Sequence, residues 1–146
     1  MSFYSHFPSK KDLVIHYLAI REEEWFSLLD KHINSEDSAE LKVLMIFDAL
    51  HEWFKQEDYH GCPFLNGLTE FNIKEDEKIV NCISQHFIQT DKLITNLIKD
   101  FKQKKDLAEQ LALLVIGAIG LSHATSDSKP ALQAKDMAKK LLNEYS

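Results

Sequence analysis

Glycine, proline and cysteine are scarce in this 146-residue sequence, which contains four, three and two of them respectively. Because a β-rich fold needs frequent turn residues, this scarcity favours an all-α fold. Cys62 and Cys82 show neither metal-ligand spacing nor a dense disulfide framework, so we expect a reducing, cytoplasmic setting. The longest apolar run, residues 111–121, is shorter than the roughly 20 residues of a membrane span, and we expect no membrane partner.

Positive charge is scarce as well. Lysine and arginine number 17 against 23 aspartates and glutamates, which gives a formal net charge of -6. Nucleic-acid binding depends chiefly on cations placed against phosphates, so the negative net charge argues against nucleic-acid binding by this chain alone. The length is that of about one domain, sufficient to bury a core without disulfides or a metal.

Signatures of catalysis are missing too. The sequence has no glycine-rich phosphate loop, no nucleophile elbow and no local set of catalytic Ser, His and Asp residues. No two of the seven histidines are four residues apart, so we expect no metal site. Glu22, Glu23 and Glu24 are consecutive and should point around a helix as a solvated face. We therefore expect neither an enzyme nor a cofactor.

Apolar residues recur at helical spacing along nearly the whole chain. They predict about six helices, at residues 10–32, 39–54, 62–71, 75–101, 106–124 and 129–145. Ser9, followed by Asp12, is a good N-cap for the first helix, and Ser38 can cap the second. Pro63 suits the first turn of the third helix, where its missing N–H has no partner to lose.

Residues 3–14, FYSHFPSKKDLV, carry the most specific pattern in the chain. It resembles the junction between the recognition helix and the fourth helix of TetR/AcrR-type transcriptional regulators. The positions that match the family pattern are Tyr4, His6, Phe7, Ser9, Lys10 and Leu13. A second stretch, residues 61–71, GCPFLNGLTEF, resembles the loop and helix in the middle of the regulatory domain of many such proteins.

The resemblance implies an all-α bundle like the regulatory and dimerisation domain of that family. Residues 1–9 would be a remnant of the helix-turn-helix, most of which precedes this sequence in the family, and residues 10–146 the ligand-binding and dimerisation domain. It implies a ligand-responsive regulator of the repressor type, with Tyr4, His6 and Lys10 as DNA-phosphate contacts and operator DNA as a partner only with a complete helix-turn-helix. The alternative is a dimeric small-molecule-binding or interaction module without DNA binding.

A small-molecule effector would occupy a cavity between the helices that the resemblance places around it. Candidate pocket residues are His51, Phe54, Cys62, Phe64, Asn66, His86, Phe87 and His123. Aromatic walls with a few polar anchors are typical of such pockets, although the same residues could fill a solid core. Cys62 at a helix N-terminus is also a candidate thiol sensor, because the helix dipole favours the thiolate, while a free cysteine more commonly packs in the core.

The fifth predicted helix is apolar around nearly its whole circumference, which a small monomer seldom buries. We expect the last two helices to pair with their copies in a homodimer, forming a four-helix interface. Gly117 and Gly120 lower helix propensity, which suggests close approach by another helix. The candidate interface residues are Leu113, Ile116, Gly117, Gly120 and Leu141.

Overall fold

A computed structural model describes residues 9–146, so the predicted phosphate contacts Tyr4 and His6 lie outside the described residues. The described range forms six α-helices. They are α1 (Lys10–His32), α2 (Ala39–Phe54), α3 (Pro63–Glu70), α4 (Glu77–Leu97), α5 (Lys104–Thr125) and α6 (Lys129–Tyr145). The predicted all-α class and the predicted number of helices are confirmed for this part of the chain.

The first three helices begin where their capping residues predict. The Ser9 hydroxyl accepts the N–H of Asp12 at 3.2 Å, and the Ser38 hydroxyl accepts the N–H of Leu41 at the same distance. Pro63 is in the first turn of α3. These caps satisfy N–H groups that a helix leaves without an internal partner, which fixes the starting residues.

The junction between α4 and α5 differs from the prediction. Helix α4 ends at Leu97 instead of residue 101, and α5 begins at Lys104 instead of residue 106. Ile98 is nevertheless fully buried, so an apolar side chain at helical spacing reaches the core from a turn. Helix α4 is followed by a turn that begins at Ile98, and Gln103, which adopts the left-handed conformation with φ 48°, immediately precedes α5. Neither glycine nor proline marks this turn, so the prediction rested on apolar spacing alone and placed the end of the helix too late.

Helix α2 lies at the centre of the bundle and packs against α1, α4, α5 and α6. Its residues Phe47 and Leu50 are fully buried. Helix α6 contacts both α2 and α5 closely because its buried face is built from small residues, Ala131, Ala134 and Ala138. Small side chains allow two helix backbones to approach, so α2, α5 and α6 form the most extensively packed part of the bundle.

The side of α5 away from the core is exposed and apolar. Leu113 is 71% exposed and Leu121 58%. By length and composition alone α5 is apolar enough to cross a membrane, which is also true of many core helices of soluble proteins. An apolar helix that is buried on only one side is favoured by a second surface that covers the other side.

Candidate functional site

A cavity of about 690 Å³ lies among α1, α3, α4 and α5, with α2 and the loop after it completing the wall. Its size falls in the range of roughly 300–1,000 Å³ that is usual for small-molecule sites. The lining is mainly apolar, with a few polar groups. Its aromatic walls are Tyr17, Trp25, Phe26, Trp53, Phe64 and Phe87.

The structure brings five of the eight predicted pocket residues to this cavity. These are Cys62, Phe64, Asn66, His86 and Phe87. The other three, His51, Phe54 and His123, lie elsewhere. Phe54 is buried in the core with its ring 5.0 Å from that of Tyr59, and His123 is exposed on α5 beside Gly61. His51 is half-buried in the last turn of α2, one residue before Glu52, which faces α1.

His86 is the polar group most completely enclosed at the cavity wall. Only 7% of the residue is exposed, and its ring stacks on that of Phe64 at 3.7 Å with 6° between the planes. The ring of Phe87 meets it edge-on at 5.5 Å. Burial lowers the pKa of His86, and the nearby Glu22 carboxylate opposes this only in part. The imidazole is therefore neutral at neutral pH.

Glu22 corrects the prediction that Glu22, Glu23 and Glu24 form one solvated face. Glu23 and Glu24 are exposed, but the Glu22 side chain is 25% exposed and turns toward α4. Its Oε1 lies 3.5 Å from Nδ1 of His86, and both atoms are fully buried without a hydrogen-bond partner among the described residues. Successive residues of a helix are about 100° apart, so three in a row span more than half of its circumference and one of them faces the bundle.

Helix α1 supplies a wall that the sequence prediction omitted. Tyr17, Arg21, Trp25 and Leu28 all line the cavity. At its rim, Arg21 forms an ion pair with Glu24 at 2.8 Å and lies over the ring of Tyr17. The available signal was the helical spacing of Tyr17, Trp25 and Leu28 in the sequence. That spacing does not distinguish a cavity wall from a packed core.

The loop between α2 and α3 is held against α5 by two contacts. The Tyr59 hydroxyl lies 2.7 Å from the Ser122 hydroxyl and donates to the Ile119 carbonyl at 3.1 Å. Gly61 has φ 81°, and a side chain there would collide with the His123 ring. Glycine is thus required where the loop backbone approaches the His123 ring. This contact positions the next residues, Cys62 and Pro63, which line the cavity together with Gly61.

The environment of Cys62 bears on the thiol-sensor prediction. The residue is 7% exposed, and burial raises the pKa of its thiol, while hydrogen bonding to the N–H groups of Leu65 and Phe64 opposes this less strongly. A raised pKa is the opposite of what a reactive thiolate needs. Burial also raises the pKa of Cys82, with the Glu22 charge acting in the same direction.

We expect both thiols to react slowly with iodoacetamide in the folded protein at neutral pH, because both are held in the neutral form. Mass spectrometry of the two cysteine peptides against time would measure this. Denatured protein supplies the reference rate, which both sites should approach only after unfolding. Fast labelling of Cys62 alone would restore the sensor interpretation.

Four of the five predicted interface residues lie on the exposed face of α5. Leu113 and Ile116 are exposed, and no described atom beyond the helix's own backbone and adjoining residues lies within 4 Å of a Cβ built on Gly117 or Gly120. Leu141 is half-buried on α6. No helix within the described range therefore makes the close approach that the two glycines suggest, and the space beside them is open.

Comparisons with known proteins agree with this architecture. The crystal structure of a TetR transcriptional regulator from Chloroflexus aurantiacus J-10-FL is similar over 99% of this chain and 77% of its own, with a TM-score of 0.83 and 15% sequence identity. No family model matches the chain, and no curated protein does. The bundle of α1 to α6 thus has the fold of a TetR transcriptional regulator, as the resemblance of residues 3–14 and 61–71 predicted.

Proposed function

We propose that this chain is mainly the effector-binding and dimerisation part of a ligand-responsive transcriptional regulator of the TetR type, acting in the cytoplasm. The observation that carries the proposal is the cavity of about 690 Å³, with aromatic walls and a few enclosed polar groups. Several lining residues are exposed, Tyr17, Asp58 and Asn66 among them, so the cavity opens to solvent and a ligand can enter it. A space of this size is suited to an organic effector.

Helix α1 is the element through which an effector would act. One side of it lines the cavity, and its first residue is Lys10, the exposed candidate for a DNA-phosphate contact. Its last turn is tied to α2, where Lys31 and His32 contact Glu52 and hold the pKa of that carboxyl at about 2. A ligand that moves the middle of α1 would displace its N-terminal end, shifting the population between two arrangements.

A homodimer formed through α5 and α6 completes the proposal. The apolar face around Leu113, Gly117 and Gly120 would pack against its copy across a two-fold axis. Leu141 on α6 would lie at the edge of the same interface. This arrangement covers the exposed apolar side of α5 and allows the two glycines to meet a neighbouring backbone closely.

Binding of a hydrophobic fluorescent probe tests the cavity. We expect N-phenylnaphthylamine to bind saturably, one molecule per protomer, and to quench Trp25 and Trp53, which line the wall. Replacing the lining residue Ala112 with phenylalanine should weaken binding about tenfold, because the larger ring takes up space that the probe needs.

The matched control is Ala19→Phe, at an exposed position on α1 outside the lining. It should bind the probe as the original chain does. Circular dichroism and thermal unfolding of both variants establish that they are folded. Equal affinity for the probe in all three proteins would show that it binds outside the cavity and would contradict the proposal.

The second candidate function is a dimeric binding or interaction module that does not bind DNA. It is favoured by the net charge of -6 and by Lys11, whose ammonium group is engaged by the Glu75 carbonyl and lies 3.4 Å from Asp76. A gel shift with this chain and the DNA upstream of its own gene separates the two candidates. Sequence-specific retention would eliminate the second.

A further inference from the structure

Glu22 and His86 form a polar pair that the fold itself leaves incomplete. Each presents one fully buried atom without a hydrogen-bond partner among residues 9–146, Oε1 on Glu22 and Nδ1 on His86. These two atoms lie 3.5 Å apart and leaving them unpaired would cost stability, so a proton on Nδ1 is the pairing that the structure itself offers, and the second ring nitrogen is left for a ligand. Because His86 lines the cavity and Glu22 does not, a ligand reaches the pair through the imidazole.

The orientation of the pair determines what the imidazole offers. Stacking on Phe64 fixes the plane of the ring, and Nδ1 faces the carboxylate at 3.5 Å. An ionised carboxylate only accepts hydrogen bonds, so it favours the tautomer of a neutral imidazole that carries the proton on Nδ1. The other ring nitrogen, Nε2, is then an acceptor. A ligand that satisfies it must supply an N–H or O–H donor.

The charges around the cavity select among donors. Glu22 places a negative charge directly behind the imidazole, which makes the ring a stronger acceptor and favours a positive group in front of it. At the rim, Arg21 is paired with Glu24 and Lys31 with Glu52, which leaves Asp58 and Asp91 as lining charges that no ion pair within residues 9–146 balances. The aromatic walls add a further attraction for a cation.

We propose that the cavity binds a protonated amine carried on an apolar, ring-bearing molecule, with the ammonium donating to His86 and Glu22 supplying the balancing charge. This inference rests on the proposed effector-binding function and specifies the chemical class of the effector. The apolar body fills the space between Trp25, Trp53 and Phe87, and the amine occupies the inner end beside His86.

Three probes with the same ring system and different head groups test the proposal: naphthylethylamine, naphthylethanol and naphthylacetate. Calorimetry at neutral pH should show the amine binding about tenfold or more tightly than the alcohol, as expected for a charge-assisted hydrogen bond, and the acid binding most weakly. In the Glu22→Gln variant the side chain can still accept from Nδ1, but its charge is gone. The preference for the amine should therefore fall to about twofold or less, with the affinity for the alcohol little changed.

Glu23→Gln is the control, since it removes the same charge from the adjacent, exposed position. It should keep the preference for the amine. Unfolding without ligand should show Glu22→Gln to be about as stable as the original chain, because glutamine keeps the shape of Glu22 and an oxygen that can accept from Nδ1. If the alcohol binds but the amine has no advantage, or if Glu22→Gln keeps the advantage, this inference fails and the proposed function stands. If none of the three probes binds, this inference fails, and if N-phenylnaphthylamine does not bind either, the proposed function fails with it.

Discussion

Replacing Leu113 with glutamate is expected to convert the proposed dimer of this chain into monomers. Leu113 is 71% exposed in the single chain, so a charge there should change the stability of the protomer by no more than about 0.5 kcal/mol. In a two-fold interface the same residue occurs twice, and both carboxylates would lose water while facing an apolar partner. We expect the dissociation constant of the dimer to rise about a hundredfold or more.

Sedimentation velocity over a range of concentrations would measure this change. The matched control is Leu68→Glu, which introduces the same charge at a residue that is 54% exposed on α3, away from α5 and α6. That variant should keep the association state of the original chain. A monomeric original chain, or equal weakening by both variants, would contradict an interface built on the exposed face of α5.

Helix positions followed closely from local chemistry in this sequence. The starts of α1, α2 and α3 are marked by Ser9, Ser38 and Pro63. Each of these effects involves residues only a few positions apart, so the local sequence is sufficient to predict where these helices begin. The end of α4 depends on distant packing instead. Ile98 reaches the core from a turn, and Gln103 adopts a left-handed conformation that residue type does not favour. Tertiary contacts decided that boundary.

The cavity was predictable only in part for a different physical reason. Phe64, His86 and Phe87 could be proposed because the family resemblance places their helices beside a cavity, and aromatic and polar residues suit the wall of such a site. A void, however, has no residue of its own, and it arises from how six helices pack. The inward direction of Glu22 depends on the rotation of α1 about its axis, which its weakly amphipathic sequence does not specify. For the same reason Phe54 and Trp53, although adjacent, face the core and the cavity respectively.

Replacing Phe64 with alanine is expected to have the largest effect on stability. Phe64 is 2% exposed and forms the surface on which the His86 ring stacks. Truncating a buried phenylalanine costs about 3–5 kcal/mol, and since one side already borders the cavity, we expect about 3 kcal/mol here. That is a large share of the roughly 5–15 kcal/mol by which a typical domain is stable. Urea unfolding, with matched protomer concentrations because any dimer contributes, would measure it.

Leu68→Ala on the same helix is the comparison, since its exposed side chain should contribute less than about 0.5 kcal/mol. Both variants end in alanine, which favours the helix at least as well as the residue it replaces, so their difference reports chiefly the burial of Phe64 and its stack on His86. The loss should extend to recognition. Without the Phe64 ring, the imidazole has no fixed plane, and the preference of the cavity for naphthylethylamine over naphthylethanol should shrink together with the stability. If stability falls and the preference is unchanged, then Phe64 supports the fold without orienting His86.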